Sequence, residues 1–160
     1  MRAQETEQAR DRCEHRLRKH GLRVTRPRLA VYEALCASAD HPTAEELYRR
    51  LRAKPQRMSM ATVYNCLEAL TRSGLAARFD AGPGAARFEA ETKHHHHLIC
   101  RRCGKVEDIF DPRLDHLGVN PPEGFEIEFH TVHFYGLCAD CRRAAGESHP
   151  TPSSNQETPS

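Results

Sequence analysis

Residues 76–90 read AARFDAGPGAARFEA, in which two nearly identical six-residue segments flank Gly82-Pro83-Gly84. Short segments around a glycine–proline turn predict a β-hairpin. The residues before this hairpin show helical patterns, so the chain order is helices followed by a hairpin. That order is typical of a winged helix, which is a DNA-binding fold, and the sequence therefore predicts a mixed α+β protein.

Two helices are predicted in the first forty residues. Residues 5–20 are weakly amphipathic and end at Gly21. Thr25 is placed to cap a second helix that runs to about residue 38. Pro27 is tolerated in the first turn of that helix, because a missing N–H costs little there.

A helix-turn-helix candidate follows these two helices. Residues 43–53 open with Thr43 and carry Glu46 three positions later, which is the pattern of a capping box. Ser59 caps a helix over 59–73 with an apolar stripe on one face. The opposite face carries Thr62, Tyr64, Asn65, Glu68 and Arg72. Such side chains suit base edges and phosphates in a major groove. For an isolated helix pair an ordinary exposed face is the simpler interpretation, but the hairpin favours DNA binding.

The charge distribution divides the chain into two parts. Residues 1–87 contain 17 Lys and Arg against 10 Asp and Glu, whereas residues 88–160 contain 7 against 12. A basic half suits a polyanion, and an acidic half rich in His and Cys suits cations.

The acidic half contains two C-x-x-C pairs separated by 34 residues, the first of them in HHHHLICRRCG at 94–104. Each pair can supply two thiolates to a tetrahedral zinc ion. The predicted structural zinc ligands are Cys100, Cys103, Cys138 and Cys141. A thioredoxin-like redox motif is the rival interpretation, but one C-x-x-C suffices for that chemistry. Cys13, Cys36 and Cys66 show no comparable spacing and are expected to be small buried or surface residues.

The zinc does not require the four histidines. In a strand, His95 and His97 point to one face while His94 and His96 point to the other, so the run can serve two sites. Carboxylates and a further imidazole lie nearby in sequence as Glu89, Asp108, Asp115 and His130. Mixed imidazole and carboxylate ligands suit Fe(II), Mn(II) or a second zinc rather than copper(I).

The second half also contains predicted strands and one short helix. HLIC and KVEDIF read as two short strands around the turn RRCG. Asp111-Pro112 is expected to begin a helix over 113–118, with Leu114 and Leu117 facing inward. Residues 125–138 alternate as a strand. Its apolar face would consist of Phe125, Ile127 and Phe129.

No segment of the chain reads as a secretory signal or approaches the roughly 20 apolar residues of a membrane span. Seven cysteines without a secretory signal argue for metal or redox chemistry rather than a disulfide framework. The expected location is the cytoplasm, with no membrane partner.

From about residue 10 to 143 the chain resembles the ferric uptake regulator (Fur) family. The matching stretches are GLRVTRPRLAVYEAL, HPTAEELY, SMATVYNCLEALTRSGL, RFE, HHHHLICRRCGKVEDI and YGLCADC. The resemblance implies a winged-helix DNA-binding domain at 1–90 and an α/β metal-binding dimerisation domain at 91–143. Residues 144–160, which are rich in Pro, Ser and Thr, are expected to be a disordered tail.

The resemblance also implies functional residues. The regulatory metal site of the family falls on His41, Glu89, His95, His97 and Asp108. A further site of some members falls on His94, His96, Asp115 and His130. DNA contacts fall on Tyr64 and Asn65 of the reader helix, with Thr62 on the same face and with Arg23, Arg57 and Arg72 nearer phosphates.

Family members are homodimeric, metal-dependent transcription regulators, usually repressors, and not enzymes. The resemblance thus implies structural Zn(II), a regulatory Fe(II) or Mn(II), and a palindromic A·T-rich double-stranded operator. TVYN at 62–65 and Asp108 look like the peroxide-sensing branch, PerR, in which Fe(II)-catalysed oxidation of the regulatory site is the signal. Glu89 looks instead like the iron-uptake branch, so an iron-responsive repressor is the alternative.

Two other classes of protein, a zinc hydrolase and a metal-storage or chaperone protein, fit the sequence less well. A zinc hydrolase would need an open zinc with a poised base, and no H-E-x-x-H motif occurs in the sequence. A metal-storage or chaperone protein could use the histidines but gives no role to the helix-turn-helix.

Overall fold

The computed structural model describes residues 2–53, 58–82, 84–90 and 94–146. Its helices are α1 (Arg2–Lys19), α2 (Arg26–Cys36), α3 (Ala44–Arg52), α4 (Met60–Arg72) and α5 (Ala139–Ala144). Its strands are β1 (Ala77–Phe79), β2 (Arg87–Glu89), β3 (His96–Cys100), β4 (Val106–Ile109) and β5 (His133–Gly136). The predicted mixed α+β class, with a helical part followed by a sheet part that carries the two C-x-x-C pairs, is confirmed.

The predicted helix caps are present. Thr25 accepts a hydrogen bond from the backbone N–H of Arg28 at the start of α2. Thr43 and Glu46 form the expected capping box, with each side chain accepting from the other residue's backbone N–H. Ser59 caps α4. These caps satisfy N–H groups that have no partner inside the helix, and they fix where each helix begins.

The first four helices and the hairpin share one hydrophobic core. Leu17 of α1, Tyr32 of α2 and Leu47 of α3 are fully buried in it, as are Val63 and Leu70 of α4. Phe88 of β2 packs against the same cluster. The hairpin is therefore attached to the helical bundle by burial of its second strand.

The hairpin pairs β1 with β2 in antiparallel register, Ala77 opposite Glu89 and Phe79 opposite Arg87. This confirms the predicted strands, although Pro83 of the turn lies outside the described residues. The backbone N–H of Phe88 donates to the carbonyl of Pro42 at 3.0 Å. This bond ties the end of the hairpin to the segment before α3, so Glu89 lies beside His41.

The second sheet has the strand order β4-β3-β5. β3 pairs with β4 in antiparallel register, which places His97 opposite Asp108. β3 pairs with β5 in parallel register, which places His97 opposite His133. The histidine strand thus lies at the centre of the sheet, with neighbours on both sides.

The predicted helix over 113–118 is wrong. This segment forms turns, and Leu117 is 44% exposed rather than facing inward. Leu114 N–H donates to the carbonyl of Asp111 three residues back, as in a single turn. Short helices depend mainly on packing of an apolar face, and the exposed Leu117 gives this segment little of that burial.

The predicted strand over 125–138 forms only at its end, in β5. The apolar face that alternation predicted is open to solvent, since Phe125 is 64% exposed, Ile127 42% and Phe129 79%. A strand needs a hydrogen-bonded neighbour, and within the described sheets residues 125–131 have none. Alternation predicted a strand here, and the structure has an exposed irregular segment in its place.

The end of the described chain differs slightly from the expected tail. α5 was not predicted, and it includes Ala144, the first residue of the expected disordered segment. Residues 147–160, which make up the rest of that segment, lie outside the described residues. Among the helices described, none has the length and apolar character needed to cross a membrane.

Candidate metal centres

The two C-x-x-C pairs meet at one end of the second sheet. Cys100 ends β3, Cys103 lies in the turn after it, and Cys138 and Cys141 lie at the start of α5. Their four sulfur atoms all lie within 4.8 Å of one another. The structure thus brings together the four residues that spacing alone predicted as a set.

The geometry of this cysteine cluster fits a zinc ion. Bonds of about 2.3 Å in a tetrahedron put neighbouring sulfurs about 3.8 Å apart. The Sγ atoms of Cys103 and Cys138 lie 3.7 Å apart. The backbone N–H of Cys138 donates to Sγ of Cys100 at 3.3 Å. Burial raises the pKa of Cys100, but this N–H and those of Cys103 and Arg102 outweigh it and lower the pKa to about 6, which favours the thiolate that a metal requires.

A second cluster, here called the sensor cluster, lies where the helical part meets the second sheet. It consists of His41, Glu89, His95, His97 and Asp108. His41 precedes α3 and Glu89 ends β2, whereas the other three residues lie on or next to β3 and β4. The ligand atoms of all five lie within 4.8 Å of one another.

The distances in the sensor cluster converge on two carboxylate oxygens. Oε2 of Glu89 lies 3.1 Å from Nε2 of His41, 3.1 Å from that of His95 and 3.0 Å from that of His97. Oδ1 of Asp108 lies 2.8 Å from Nε2 of His41 and 3.6 Å from that of His95. Three imidazole nitrogens and two carboxylate oxygens therefore face one point.

The sensor cluster is mostly shielded from water. The three histidines and Glu89 are each less than 9% exposed. Burial raises the pKa of Glu89, but hydrogen bonds from His41 and His97 outweigh it and lower the pKa to about 2. A buried carboxylate that stays ionised among three imidazoles is a ready ligand for a cation.

The donor set of the sensor cluster fits a divalent transition metal. Imidazole nitrogen and carboxylate oxygen suit Fe(II), Mn(II) or Zn(II). With bonds of about 2.1 Å, opposite ligand atoms lie about 4.2 Å apart, so an ion needs only a small contraction of the cluster. The backbone of His41 has φ 48°, in the left-handed region that few non-glycine residues adopt. Such strain is often found at functional sites.

Phe79 of β1 contacts the sensor cluster and was not identified from the sequence. Its ring stacks on His97, with centroids 4.2 Å apart and planes at 15°. It meets His41 edge-on at 5.6 Å. Metal-binding histidines normally hydrogen-bond through their second ring nitrogen. Nδ1 of His41 and of His97 has no such partner among the described residues, so packing against Phe79 orients both rings.

His133 is a second contact that the sequence did not reveal. Its ring lies 5.2 Å from that of His97, because β5 runs parallel to β3. Burial and the neighbouring His97 lower the pKa of His133, which keeps its ring neutral beside the cluster. It lies outside the five-residue cluster.

We expect Phe79→Ala to weaken Mn(II) binding at the sensor cluster by about 10-fold, since partners that only orient ligands typically contribute 10- to 100-fold. Zinc content should not change, because the cysteines lie elsewhere. Titration of the zinc-loaded protein with Mn(II) measures the effect. Arg78→Ala, which removes an exposed side chain from the same strand, is the control. Equal Mn(II) affinity in both variants would show that Phe79 does not orient the ligands.

A third cluster lies on the other face of β3. Ligand atoms of His94, His96 and His130 lie within 4.8 Å of one another. Oδ1 of Asp115 is 3.4 Å from Nε2 of His94 and 3.3 Å from that of His96. The alternation of the histidine run thus creates two clusters on opposite faces, as the sequence predicts.

Two histidines of the third cluster are hydrogen-bonded to backbone groups. Nδ1 of the fully buried His96 accepts from the backbone N–H of Val132 at 3.1 Å. The proton of the neutral ring is then on Nε2, which donates to Asp115. Nε2 of His130 donates to the carbonyl of Leu114 at 2.6 Å. The third cluster offers three imidazoles and the half-exposed Asp115, against five mostly buried ligands in the sensor cluster, so it is the weaker candidate.

Four of the predicted DNA contacts lie on α4, and Arg23 lies before α2. Tyr64 is 45% exposed, and its hydroxyl donates to Glu45 of α3 at 2.7 Å. Asn65 and Arg72 are exposed, and Arg23 is exposed in the turn before α2. Thr62 is half-buried, and its hydroxyl hydrogen-bonds that of the Ser59 cap. Arg57 lies outside the described residues.

Comparison with known proteins finds a matching family, similar relatives and similar solved structures. Residues 19–135 match the model of the "Ferric uptake regulator family". The chain is 38% identical over 129 residues to the "Peroxide operon regulator" of Bacillus subtilis, covering 79% of this chain and 89% of that protein. It is 36% identical over 128 residues to the "Peroxide-responsive repressor PerR" of Staphylococcus epidermidis, covering 79% and 85%. The ferric uptake regulator of Pseudomonas aeruginosa, solved with manganese, has a TM-score of 0.65 at 30% identity and covers 79% of this chain and 97% of that one.

Proposed function

This chain belongs to the ferric uptake regulator family, and we propose that it is a metal-dependent, DNA-binding transcriptional repressor that senses peroxide. The observation that carries the proposal is the sensor cluster, in which a ligand set for Fe(II) or Mn(II) spans the junction between the helical part and the second sheet. Its relatives from Bacillus and Staphylococcus are named for peroxide response.

The position of the sensor cluster explains how a small ion can control DNA binding. His41 and Glu89 belong to the helical part, whereas His95, His97 and Asp108 belong to the second sheet. An ion bound by all five fixes the orientation of one part relative to the other. Metal binding then favours one arrangement of the reader helices. Because such coupling is reciprocal, DNA binding raises the affinity of the sensor cluster for the metal.

We assign residues 1–90 to a winged-helix DNA-binding domain and residues 91–143 to a dimerisation domain. The exposed face of α4, with Tyr64 and Asn65, is the proposed reader surface, and Arg23, Arg57 and Arg72 are proposed phosphate contacts. Because a symmetric dimer presents two identical reader helices, the operator should be a palindrome, which we expect to be A·T-rich. The protein acts in the cytoplasm, where such an operator is found.

An exposed apolar segment at and before β5 supports the dimer. Phe134 of β5 and, before it, Phe125, Ile127 and Phe129 are at least 40% exposed in the single chain. Exposed apolar side chains concentrated in one short segment mark an interaction site. A second copy of the chain would bury them and provide the neighbour that residues 125–131 lack.

We assign zinc to the four cysteines and Fe(II) or Mn(II) to the sensor cluster. When bound by these five residues, Fe(II) would supply the electrons for cleavage of peroxide to an oxidant. His41 and His95 each place Nε2 within 3.6 Å of both Glu89 and Asp108, so both rings lie next to the point where that oxidant forms. Adding oxygen to an imidazole weakens it as a ligand, and the two parts then lose their fixed orientation.

Mild peroxide treatment tests the proposal. In the iron-loaded protein we expect a gain of one oxygen on the peptides that carry His41 or His95, together with loss of DNA binding. In the manganese-loaded protein the peptides that carry His41 and His95 should keep their mass, and DNA binding should persist. The peptide with His116, an exposed histidine outside all three clusters, is an internal control. Unmodified histidines with retained DNA binding in the iron form would contradict peroxide sensing.

An iron-responsive repressor of iron uptake is the second candidate function. It is favoured by Glu89, because aspartate is usual at this position in the peroxide-sensing branch that the chain resembles. The longer glutamate arm changes how closely the carboxylate approaches the metal. Peroxide-insensitive repression by the iron form would support this alternative. Family membership makes the protein a regulator rather than an enzyme, and it disfavours the hydrolase and metal-storage interpretations.

A further inference from the structure

Two cysteines outside the zinc cluster lie side by side. Sγ of Cys13, on α1, is 4.0 Å from Sγ of Cys36, the last residue of α2. They are 23 positions apart in sequence, and their spacing gave no sign of a pair. Cys13 is buried and Cys36 is exposed, as expected of small buried or surface residues, but the packing of α1 on α2 also brings the two together as a dithiol.

The two thiols have different environments. Cys13 is only 7% exposed, whereas Cys36 is exposed to solvent. The Cys13 S–H donates to the Cys36 sulfur and, with smaller contributions from Tyr32 and Arg16, lowers the pKa of Cys36 to about 7, although partial desolvation of that sulfur acts in the opposite direction. The same contact raises the pKa of Cys13. An accessible, partly ionised thiol beside a protonated one is the arrangement of an attacking and a resolving cysteine.

The dithiol also adjoins the sensor cluster. A cavity of about 350 Å³ is lined by Cys36 and Arg16 together with His41, Glu89 and Asp108. A small oxidant that enters this cavity meets both the thiol and the proposed metal ligands. Cys66, by comparison, lies on α4 and faces the core, and burial raises its pKa.

We propose that Cys13 and Cys36 are a second peroxide-reactive site, which forms a reversible disulfide between α1 and α2 without the regulatory metal. This inference does not depend on histidine oxidation, since the reaction requires no iron. The sulfurs must close from 4.0 Å to about 2.05 Å, a movement that small rotations of two side chains can supply.

The chemistry balances with hydrogen peroxide as the oxidant. The Cys36 thiolate attacks one peroxide oxygen, the O–O bond breaks, and the sulfur is oxidised to a sulfenic acid. The hydroxide that leaves takes up the proton lost from Cys36 and becomes water. The Cys13 sulfur then attacks the sulfenyl sulfur, and its thiol proton leaves with the sulfenic hydroxyl as a second water. Two thiols and one peroxide thus give one disulfide and two waters.

The disulfide would act on the segment that leads to His41. Cys36 ends α2, and residues 37–42 connect it directly to the sensor cluster and the start of α3. A bond from Cys13 would fix the end of α2 against α1 and constrain this segment. We therefore expect oxidation of the dithiol to change the Mn(II) affinity of the sensor cluster by a few-fold.

The experiment uses full-length, zinc-loaded protein with Mn(II) and no iron, treated with equimolar hydrogen peroxide. We expect loss of two hydrogens in the intact mass, and a dithiothreitol-sensitive link between the peptides that carry Cys13 and Cys36. Cys36→Ser should abolish the reaction. Cys13→Ser should stop it at a sulfenic acid that dimedone traps at Cys36. Cys66→Ser should react like the parent protein.

The readouts separate this proposal from the others. Zinc release and histidine oxidation are measured in the same samples, so failure of the metal-based sensing leaves the dithiol result interpretable. A full complement of free thiols in the treated wild-type protein would overturn the proposal. So would a disulfide that joins Cys36 to Cys66 or to a zinc cysteine, since the 4.0 Å contact predicts neither.

Discussion

Replacing Cys100 or Cys138 with serine should remove about one zinc ion per chain and leave a largely monomeric protein with a poorly folded second sheet. The reason is the thin core of this part of the molecule. Among described residues 94–146, the buried apolar side chains are Ile99, Cys100 and Val106. Structural zinc contributes an apparent binding free energy of about 10–16 kcal/mol, which is therefore folding free energy for this sheet.

Metal analysis, size-exclusion chromatography and thermal melting measure this effect. Cys66→Ser is the matched control, because it also removes a thiol but lies in the helical core rather than at the zinc site. It should keep zinc and the dimer. Wild-type stability and dimer content in a variant that lacks both Cys100 and Cys138 would show that the cysteine cluster is not structural.

His97→Ala should lose metal-activated DNA binding while keeping the cysteine-bound zinc. The His97 ring is 2% exposed, lies 3.0 Å from Glu89 and stacks on Phe79, so its loss opens the centre of the sensor cluster. Removing a partner that only orients a ligand costs about 10- to 100-fold in metal affinity, and losing a ligand should cost at least about 100-fold. DNA binding at a fixed Mn(II) concentration should fall accordingly.

Binding to a selected palindromic operator, measured with and without Mn(II), tests this prediction. Affinity of the wild-type complex should fall steeply with salt, because basic side chains displace counterions from the phosphates. His116→Ala is the control, since it removes an exposed histidine outside the clusters. If His97→Ala represses as well as the parent, the sensor cluster is not the regulatory site.

Local interactions made much of the helical part predictable. The caps at Thr25, Thr43 and Ser59 involve residues three positions away, so the helix starts could be read from the sequence. The hairpin at 76–90 was also predictable, because its two strands are joined by a short turn. By contrast, the helix predicted at 113–118 and most of the strand predicted at 125–138 were wrong, since each depends on a neighbour that alternation cannot reveal.

The sites divide in the same way. The spacing of two C-x-x-C pairs identified the four cysteines that meet, because each pair is a local motif, and the alternation of His94–His97 indicated that two faces would carry imidazoles. For the sensor cluster as a set of five that includes His41, the sequence offered only a resemblance. Tertiary structure decided their meeting: the pairing of β3 with β4 places His97 opposite Asp108, and the hydrogen bond from Phe88 to Pro42 places Glu89 beside His41.

The amino-acid sequence by itself thus determined the capped helices, the hairpin, the cysteine motif and the family. Only the tertiary structure decided that Phe79 orients His41 and His97, that His133 lies beside them, and that Cys13 contacts Cys36. Capping, turn formation and paired cysteines depend on residues a few positions apart. Contacts between distant side chains depend on how whole helices and strands pack. The hydrophobic burial that drives this packing is not directional, so the sequence pattern does not specify which distant side chains meet.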